Sequence, residues 1–451
     1  MSNPVQQATK DDGFQRTLGR KDLLGIAIGG IIGAGVMTLT GIGIGRTGRS
    51  VCISYLLATF FALFFAVPSI ISSSVARFKG GSYTLWSILV GPRWNGAWVI
   101  AFILGEMGVS MYAMSFAEYF QVLVPGVPTQ VIAIVIATLF FGLNYFGINI
   151  FAKVENILTV TLLLGIILYI VCGLPHVQWD TYFTNPGFTT NGISGVFAGA
   201  AFLNYAVIGG TWCMDFSAEA KNAKKDIPFA IIVSTVIVAV MFSLLSIVAS
   251  GVLPLDQVAG QPLTVVGKVI FNKPLFYCFL IAGALGATAT TLNVCVAALC
   301  RPLVWASRDG WFPKKMGELH PKYHTPHRWL LVWYVICITP ILLDFSVAQV
   351  ADLVMFIMYT RSIIYAFSFL RLPKLFPDQW KKSIFHMPDW AYKALILATA
   401  GVATYQVIAN LQNADPKMII INLVVMAGAL IYSEIRWRSG KVHMEPAWEE
   451  N

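Results

Sequence analysis

The sequence predicts an all-α membrane protein with twelve transmembrane helices, ten of them arranged as a 5+5 inverted repeat. Three observations favour this fold class. Apolar residues dominate the chain while charged residues are scarce. Lys and Arg fall on alternate sides of successive apolar stretches. Glycine-rich interruptions occur at matching places in the two halves of the chain.

Composition places the chain in a lipid bilayer. Of the 451 residues, 57% are hydrophobic and 12% are charged, whereas soluble proteins carry about 25% charged residues. A membrane-spanning helix needs roughly 20 apolar residues. Twelve stretches, which we number spans 1 to 12, have this character: 22–45, 52–76, 95–123, 129–149, 155–174, 194–218, 228–253, 275–306, 328–345, 347–370, 391–411 and 417–436.

The order of the spans indicates a single transmembrane domain over residues 1–451. The polar segment before span 1 lacks a cleavable signal pattern. No loop exceeds roughly 25 residues, which is too short for a soluble domain. We expect residues 22–174 to form the first five-helix repeat, 194–370 the second, and 391–436 an additional pair of helices.

The distribution of Lys and Arg predicts the orientation, because cytoplasmic loops carry an excess of these residues. With the N-terminus inside and the spans alternating, 25 of the 31 lie in cytoplasmic segments, five lie outside, and Arg361 is left in mid-span. We therefore expect a multi-pass protein of a bacterial-type plasma (inner) membrane with both termini in the cytoplasm.

The same features argue against several other classes of protein. The net charge of +9 follows from the basic cytoplasmic loops, so no nucleic-acid partner is needed to explain it. None of the seven cysteines forms a CxxC motif or a cluster with histidine, which argues against a disulfide framework and a zinc site. No nucleophile–base set is visible at membrane depth, so we expect neither an enzyme nor a bound cofactor.

Two glycine-rich interruptions predict the binding site. Span 1 contains GGIIGAG at 29–35 and span 6 contains IGGT at 208–211. These spans begin two consecutive blocks of five, and matching breaks of this kind indicate inverted repeats around a midplane site. A broken helix offers free amides that suit a carboxylate and free carbonyls that suit an ammonium or a cation. Close helix packing would also account for such glycines.

Three separated motifs resemble the amino acid–polyamine–organocation transporter superfamily. They are GIAIGGIIGAGVM at 25–37, SAEAKNAKKDIPFAI at 217–231 and RPLVWASRDGWFPKKMGELHPKYHTPH at 301–327. The resemblance covers essentially the whole chain. It implies the leucine-transporter-type fold and the transport of amino acids or related amines.

The resemblance also implies where the two ends of an amino acid would bind. The substrate carboxylate is expected at the backbone amides around Gly33, Ala34 and Gly35. The substrate amine is expected at carbonyls around Ile31 and Ile208.

A pocket for the substrate side chain follows from the same resemblance. Gly209, Gly210 and Thr211 are expected to border it. Tyr205, in FLNYAVIGGTW, stands in the aromatic place of the family's sixth helix, although the alignment needs an extra residue here.

Coupling to sodium is suggested by TATTLN in span 8. Similar sodium-coupled folds place two adjacent hydroxyl residues at this depth, and Thr290 and Thr291 fit that pattern opposite the carbonyls of Gly29 and Ile32. A small hard cation prefers such oxygen ligands, but membrane threonines also commonly bond carbonyls of their own helix. Many relatives carry a Lys in helix 5 in place of sodium, and Thr161 is aligned with it here.

Glu106 and Arg361 are charged residues at membrane depth. Glu106 lies about 16 Å from the cytoplasmic start of span 3, and Arg361 lies at similar depth in span 10. Such residues usually face a partner or a cavity. The two are expected to pair, to contact substrate or, for Glu106, to carry a coupling proton. Asp215 and Glu219, near the inner end of span 6, are expected to be solvated or helix-terminal charges that contact basic cytoplasmic loops.

These features predict a secondary active transporter that imports a small amino acid or amino-acid derivative by alternating access, with sodium as a candidate coupling ion. One alternative is a proton-coupled or exchange-type carrier of a cationic amine or polyamine. Another, from a different class, is a transporter-like membrane sensor that binds without transport. The expected partners are the small-molecule substrate and the lipid bilayer, and the sequence leaves the oligomeric state open.

Overall fold

The computed structural model describes residues 13–345, 347–411, 416–444 and 447–450. It is 78% helical, and the strands in this part of the chain are one pair of two residues each. The predicted all-α class is therefore confirmed.

The helices of the first half of the chain follow spans 1 to 5. Spans 1 and 3 are each divided into two helices, and a short helix lies between spans 2 and 3. The helices are α1 (Arg20–Ile31), α2 (Ala34–Thr47), α3 (Val51–Val75), α4 (Ser82–Leu89), α5 (Asn95–Gly105), α6 (Val109–Gln121), α7 (Thr129–Tyr145) and α8 (Ile148–Gly173).

The helices of the second half follow spans 6 to 12, with short helices in the linkers. They are α9 (Trp179–Tyr182), α10 (Gly192–Leu203), α11 (Ala223–Gly251), α12 (Leu255–Val258), α13 (Thr264–Ile270), α14 (Lys273–Phe279), α15 (Gly286–Arg308), α16 (His327–Leu342), α17 (Val347–Ser368), α18 (Leu372–Leu375), α19 (Pro377–Lys381), α20 (Asp389–Leu411) and α21 (Pro416–Arg438). Span 6 continues beyond α10 as two 3₁₀ segments, and a π-helical segment, Leu280–Leu285, joins α14 to α15.

Seven helical segments of the described chain are long and apolar enough to cross a membrane. Two shorter apolar helices, α7 and α16, accompany them. The protein is therefore a multi-pass membrane protein. Helix α8 has one buried face and one exposed face. Leu162, Ile166 and Tyr169 are fully buried, whereas Val160 and Leu164 are exposed.

α15 is the central wall of the fold. Every residue of this helix from Gly286 to Ser307 is buried. α1 packs against α15 and also against α8 and α11, so the first half of span 1 is enclosed on three sides. This packing holds the end of α1, and the break that follows it, deep inside the molecule.

The C-terminal segment is joined to the loop between α3 and α4. Strand β1 (Arg77–Phe78) pairs antiparallel with strand β2 (Trp448–Glu449). The Glu449 carboxylate accepts at 2.7 Å from Lys79, which is 2% exposed, and at 2.7 Å from Arg16, which precedes α1. One carboxylate thus connects three separate parts of the chain.

Glu449→Gln should destabilise the protein at neutral pH and not in acid. Partial burial alone would raise the pKa of Glu449, but hydrogen bonding and charge from Lys79, together with Arg16, hold that pKa below its ordinary value. A carboxyl whose pKa is lowered by folding stabilises the folded state above its unfolded pKa, about 4.3, and loses that effect as pH falls through the folded pKa. Thermal unfolding of purified wild type and variant between neutral and acidic pH measures the difference.

Glu450→Gln is the matched control, because Glu450 pairs with Lys382 where both side chains are largely exposed, and exposed ion pairs contribute little. A stability difference for Glu449→Gln that is the same at every pH would contradict the assignment of the effect to the carboxylate charge.

Candidate functional site

The first break separates α1 from α2 at Ile32 and Gly33. Ile32 has φ −82° and ψ 92°, and Gly33 has φ −132° and ψ −154°, so two extended residues interrupt the helix within the predicted segment 29–35. The last carbonyls of α1 and the first amides of α2 have no partner inside a helix. The break therefore offers both kinds of backbone group at membrane depth.

The second break lies at the predicted place in span 6 but is longer than predicted. α10 ends at Leu203, and the chain continues as 3₁₀ helix over Asn204–Val207 and Gly209–Phe216, with Ile208 between them. A 3₁₀ helix is tighter and has poorer hydrogen-bond geometry than an α-helix, and often marks a hinge. The interruption predicted at 208–211 thus extends over the whole second half of the span.

Glycines allow the two breaks to cross in direct backbone contact. A Cβ atom at Gly209 would overlap the carbonyl of Gly30, and one at Gly30 would lie 3.0 Å from the carbonyl oxygen of Gly209. A Cβ at Gly35 would lie 2.9 Å from the Cβ of Ala206. The glycines serve close approach here, because neither break uses a positive φ at these positions.

One cavity lies where the two breaks meet. Its wall also includes parts of α3, α5, α6, α15, α17 and α20. The predicted site residues that line it are Ile31, Gly33, Gly35, Glu106, Tyr205, Ile208, Gly209, Thr211, Thr291 and Arg361. The structure therefore gathers residues from separate stretches of sequence around one space.

The remaining predicted residues do not line this cavity. Gly210 is directed towards the side chains of Ile31 and Ser234, where an added Cβ would lie 3.0 Å from Ile31. Gly29, Ile32 and Thr290 are buried and lie outside the cavity lining.

For Ala34 the structure describes only the position of the backbone. It is the first residue of α2, and its side chain lies outside the described residues.

The predicted sodium ligands converge as a cluster of oxygens. The Thr291 hydroxyl lies 2.8 Å from the Gly29 carbonyl oxygen and 3.2 Å from that of Ile32. The Thr290 hydroxyl lies 3.3 Å from Ile32 and 3.4 Å from Gly29. Both hydroxyls also approach the Ala287 carbonyl of their own helix, at 3.0 and 3.2 Å. The two hydroxyl protons are thus shared among the carbonyls of Gly29, Ile32 and Ala287, so the cluster has more oxygen lone pairs than protons to occupy them.

A third break, which the sequence interpretation missed, interrupts span 3. α5 ends at Gly105 and α6 begins at Val109, with Glu106 in the turn between them. Glu106 accepts a hydrogen bond from Arg361 Nη2 at 3.4 Å, and both side chains are largely buried, at 13% and 15% exposed. The two residues pair, which the sequence alone had left open. The glycines that flank Glu106 were the available signal.

Asp215 corrects a second expectation. It is not a solvated charge near the loops: it is 4% exposed and lines the cavity. Its Oδ1 accepts from the amide of Ser82 at 2.8 Å and from the Ser82 hydroxyl at 2.7 Å, which fixes the N-terminus of α4 to the end of span 6. Glu219 is not a solvated charge either: it is buried, and its carboxylate accepts from two nitrogens of Arg301, which lies inside α15 rather than in a loop.

Glu155 is a buried acid that the sequence interpretation overlooked. It was placed at the first residue of span 5, but α8 begins at Ile148, so Glu155 is two turns inside the helix and 0% exposed. Its carboxylate accepts from Thr159 at 3.0 Å and from Asn293 at 2.9 Å, and it occupies the space beside Gly29 that a Cβ would need. Glu155 thus connects α8, α15 and α1.

Thr161 does not face the site. It is exposed, and its hydroxyl donates to the carbonyl of Ile157 at 2.8 Å. The residue of α8 that contacts α1 here is Thr159, whose hydroxyl lies 3.2 Å from the Gly25 carbonyl oxygen.

A multi-pass membrane protein whose broken helices enclose a central cavity has the architecture of a membrane transport protein. Comparison with known families agrees. Residues 18–430 match the model of the family described as "Amino acid permease". The chain belongs to this family, and it is a transporter rather than an enzyme.

Individual relatives are similar to this chain at modest identity. The branched-chain amino acid permease BcaP of Bacillus subtilis is 27% identical over 73% of this chain and 75% of its own length. The methylthioribose transporter of the same organism is 25% identical over 71% of this chain and 74% of its own length. Cationic amino acid transporter 4, vacuolar, of Arabidopsis thaliana is 26% identical over 70% of this chain and 57% of its own length.

Gly209→Ala should disrupt the crossing of the two breaks. The added methyl group meets backbone at Gly30, which cannot rotate away, and overpacking of this kind typically costs about 1–3 kcal/mol. We expect a lower unfolding temperature and weaker substrate binding, measured by thermal unfolding in detergent and by equilibrium binding of labelled amino acids.

Gly142→Ala and Gly401→Ala are the matched controls, because each lies inside a helix with no atom near the added Cβ. Both should match or exceed wild-type stability, since Ala favours helix. Equal behaviour of all three variants would contradict direct contact between the breaks.

Proposed function

We propose that this protein is a secondary active transporter that carries amino acids or amino-acid derivatives across a membrane by alternating access. The observation that carries the proposal is that the breaks of spans 1 and 6 cross in direct contact and line one cavity. Family membership supports the transport of amino acids. Relatives named as branched-chain and cationic amino acid carriers agree with that class of substrate.

The backbone of the two breaks recognises the zwitterionic part of the substrate. The amides at Gly33, Ala34 and Gly35 lie at the electropositive N-terminus of α2 and bind the carboxylate. Carbonyls around Ile31 and Ile208 accept from the ammonium group. This division leaves the choice among amino acids to the rest of the cavity, because the part that all amino acids share is bound by backbone alone.

Side chains around the cavity then act on the variable part of the substrate. Gly209, Thr211 and Tyr205 are part of the cavity wall. Tyr205 contacts Met111 on α6, with its hydroxyl 3.7 Å from the sulfur, so it links span 6 to span 3 at the cavity. We propose that the Tyr205 ring closes over the bound substrate, as the aromatic residue of the family's sixth helix is expected to do.

Alternating access follows from the mechanical difference between elements. The 3₁₀ segment Gly209–Phe216 and the extended pair Ile32–Gly33 are weaker points than the buried α15. Tilting of the halves of spans 1 and 6 against a scaffold of spans 3, 4, 8 and 9 opens the cavity to one side at a time.

The remaining features of the proposal concern topology. The chain crosses the membrane twelve times, with a 5+5 inverted repeat over 22–174 and 194–370 and an additional pair at 391–436. An even number of crossings puts both termini on the same side, which we propose is the cytoplasm. The excess of Lys and Arg on that side supports this orientation in a plasma membrane.

Sodium is the coupling ion that the oxygen cluster favours. Hard cations prefer several oxygen ligands, and the cluster of Thr290, Thr291, Gly29 and Ile32 offers two hydroxyls and two carbonyls from facing helices. A cation there would fix the end of α1 to α15, so ion binding and the position of the first break would be linked.

Uptake into proteoliposomes tests this function. Purified protein is given labelled amino acids with a sodium gradient, with a proton gradient, or with only internal substrate. We expect sodium to stimulate uptake and Thr290→Ala/Thr291→Ala to abolish the stimulation, because the double variant removes both hydroxyls that face α1.

Thr288→Ala is the matched control, since Thr288 is equally buried but bonds only carbonyls of its own helix, at Ala284 and Leu285, in the described structure. Uptake driven by protons, or only by exchange, would contradict sodium coupling and leave amino acid transport intact. Binding without movement of any substrate would contradict transport and favour a sensor.

A further inference from the structure

The ion pair between Glu106 and Arg361 is longer than the other ion pairs of the described residues and lacks the two-bond geometry of two of them. Arg93 meets Glu434 through two parallel hydrogen bonds of 2.8 Å. Arg301 likewise donates through two nitrogens to both oxygens of Glu219. Glu106 and Arg361 share one bond of 3.4 Å, near the outer limit for a hydrogen bond.

Arg361 consequently keeps most of its donors unused. A guanidinium carries five N–H groups, and within the described residues it makes one hydrogen bond, with Nη1 buried and unpartnered. The rings of Trp98 and Phe102 lie 5.6 and 5.5 Å from the guanidinium carbon. Aromatic faces stabilise its charge but accept no conventional hydrogen bond, so the guanidinium is positioned without being satisfied.

Glu106 likewise keeps acceptor capacity. A carboxylate offers about four lone-pair sites, and one long bond from Arg361 is the hydrogen bond that its side chain makes with the described residues. Both side chains line the cavity that contains the two breaks. A donor and an acceptor therefore stand side by side in the cavity wall, at a spacing that leaves both available.

Charge restricts what this pair can bind. A cationic side chain would be repelled by Arg361, and an anionic one by Glu106 and by Asp215, which lines the same cavity. A hydrocarbon side chain would leave both polar groups unsatisfied after water is displaced. A neutral group that accepts and donates at once avoids all three penalties.

A primary carboxamide has this combination in one planar group. Its carbonyl oxygen accepts from an Arg361 N–H, and its NH₂ donates to a Glu106 oxygen. We propose that Glu106 and Arg361 form the side-chain subsite of this transporter and select amino acids whose side chains end in a carboxamide, such as glutamine and asparagine. This inference rests on the proposed function, because it assigns a substrate class to the same cavity.

Competition against labelled glutamine for uptake into proteoliposomes, under the driving condition that supports uptake, tests the inference in the wild-type protein. Glutamine or asparagine should compete at concentrations at least about tenfold lower than leucine, lysine or glutamate. The factor is conservative, because sites built to hydrogen-bond a ligand reject analogues without the group by far larger ratios. A wild-type preference for leucine, lysine or glutamate overturns the inference. Failure to take up any labelled amino acid under any driving condition instead overturns the proposed function.

Two variants give readouts that a purely structural pair would not change. Arg361→Lys keeps the charge but loses the planar fork, and should weaken glutamine competition about ten- to a hundredfold. Arg93→Lys is the matched control, because its pair with Glu434 lies outside the cavity lining, and it should leave competition unchanged.

Glu106→Gln should change the order of preference rather than only the affinity. Without the negative charge of Glu106, Arg361 can pair with an anionic side chain. The affinity for glutamate relative to glutamine should therefore be higher than in the wild type. An unchanged order of competitors in this variant overturns the role of Glu106. If a variant does not fold, the wild-type competition series still decides the inference.

Discussion

The constraint on which this structure depends is that backbone polar groups at membrane depth must find partners. A helix satisfies them internally, and a break is tolerated only where it is buried in protein or lines a cavity. Here two breaks, at Ile32–Gly33 and from Asn204 onwards, are placed against each other. Gly30 and Gly209 allow the backbones to touch, and the cavity forms around the groups that remain.

The surrounding elements hold this crossing in place. α15, buried along almost its whole length, presents Thr290 and Thr291 to the free carbonyls at the end of α1. Glu155 on α8 fills the space beside Gly29 and accepts from Asn293 on α15. The end of α1 is therefore fixed by polar contacts on two sides, while the start of α2 is left facing the cavity. This asymmetry leaves the backbone of Gly33 and Gly35 in the cavity wall.

Much of this arrangement could be predicted from sequence, because clustered glycines weaken a helix and persist in an apolar span where a break or a close backbone approach requires them. Composition indicated the membrane class, and the clusters at 29–35 and 208–211 located both breaks. The break at Glu106 was missed because two isolated glycines in an apolar span are common and also suit simple packing. Glu155 was missed because the apolar pattern started the span too late, and the outward direction of Thr161 was not foreseen because a shift of one or two residues turns a side chain from the core to the outer surface. Such errors concern helix rotation, which depends on packing that periodicity in an all-apolar helix does not record.

The central claim is that the unwound backbone of spans 1 and 6 holds the amino and carboxylate groups of the substrate. A cryo-electron microscopy structure with bound amino acid tests it most directly. The account predicts the carboxylate within hydrogen-bond distance, about 2.7–3.2 Å, of the amides at residues 33–35, with the ammonium group against carbonyls near Ile31 and Ile208. Substrate density held by side chains elsewhere in the cavity, with these backbone groups left bonded to water, would contradict it.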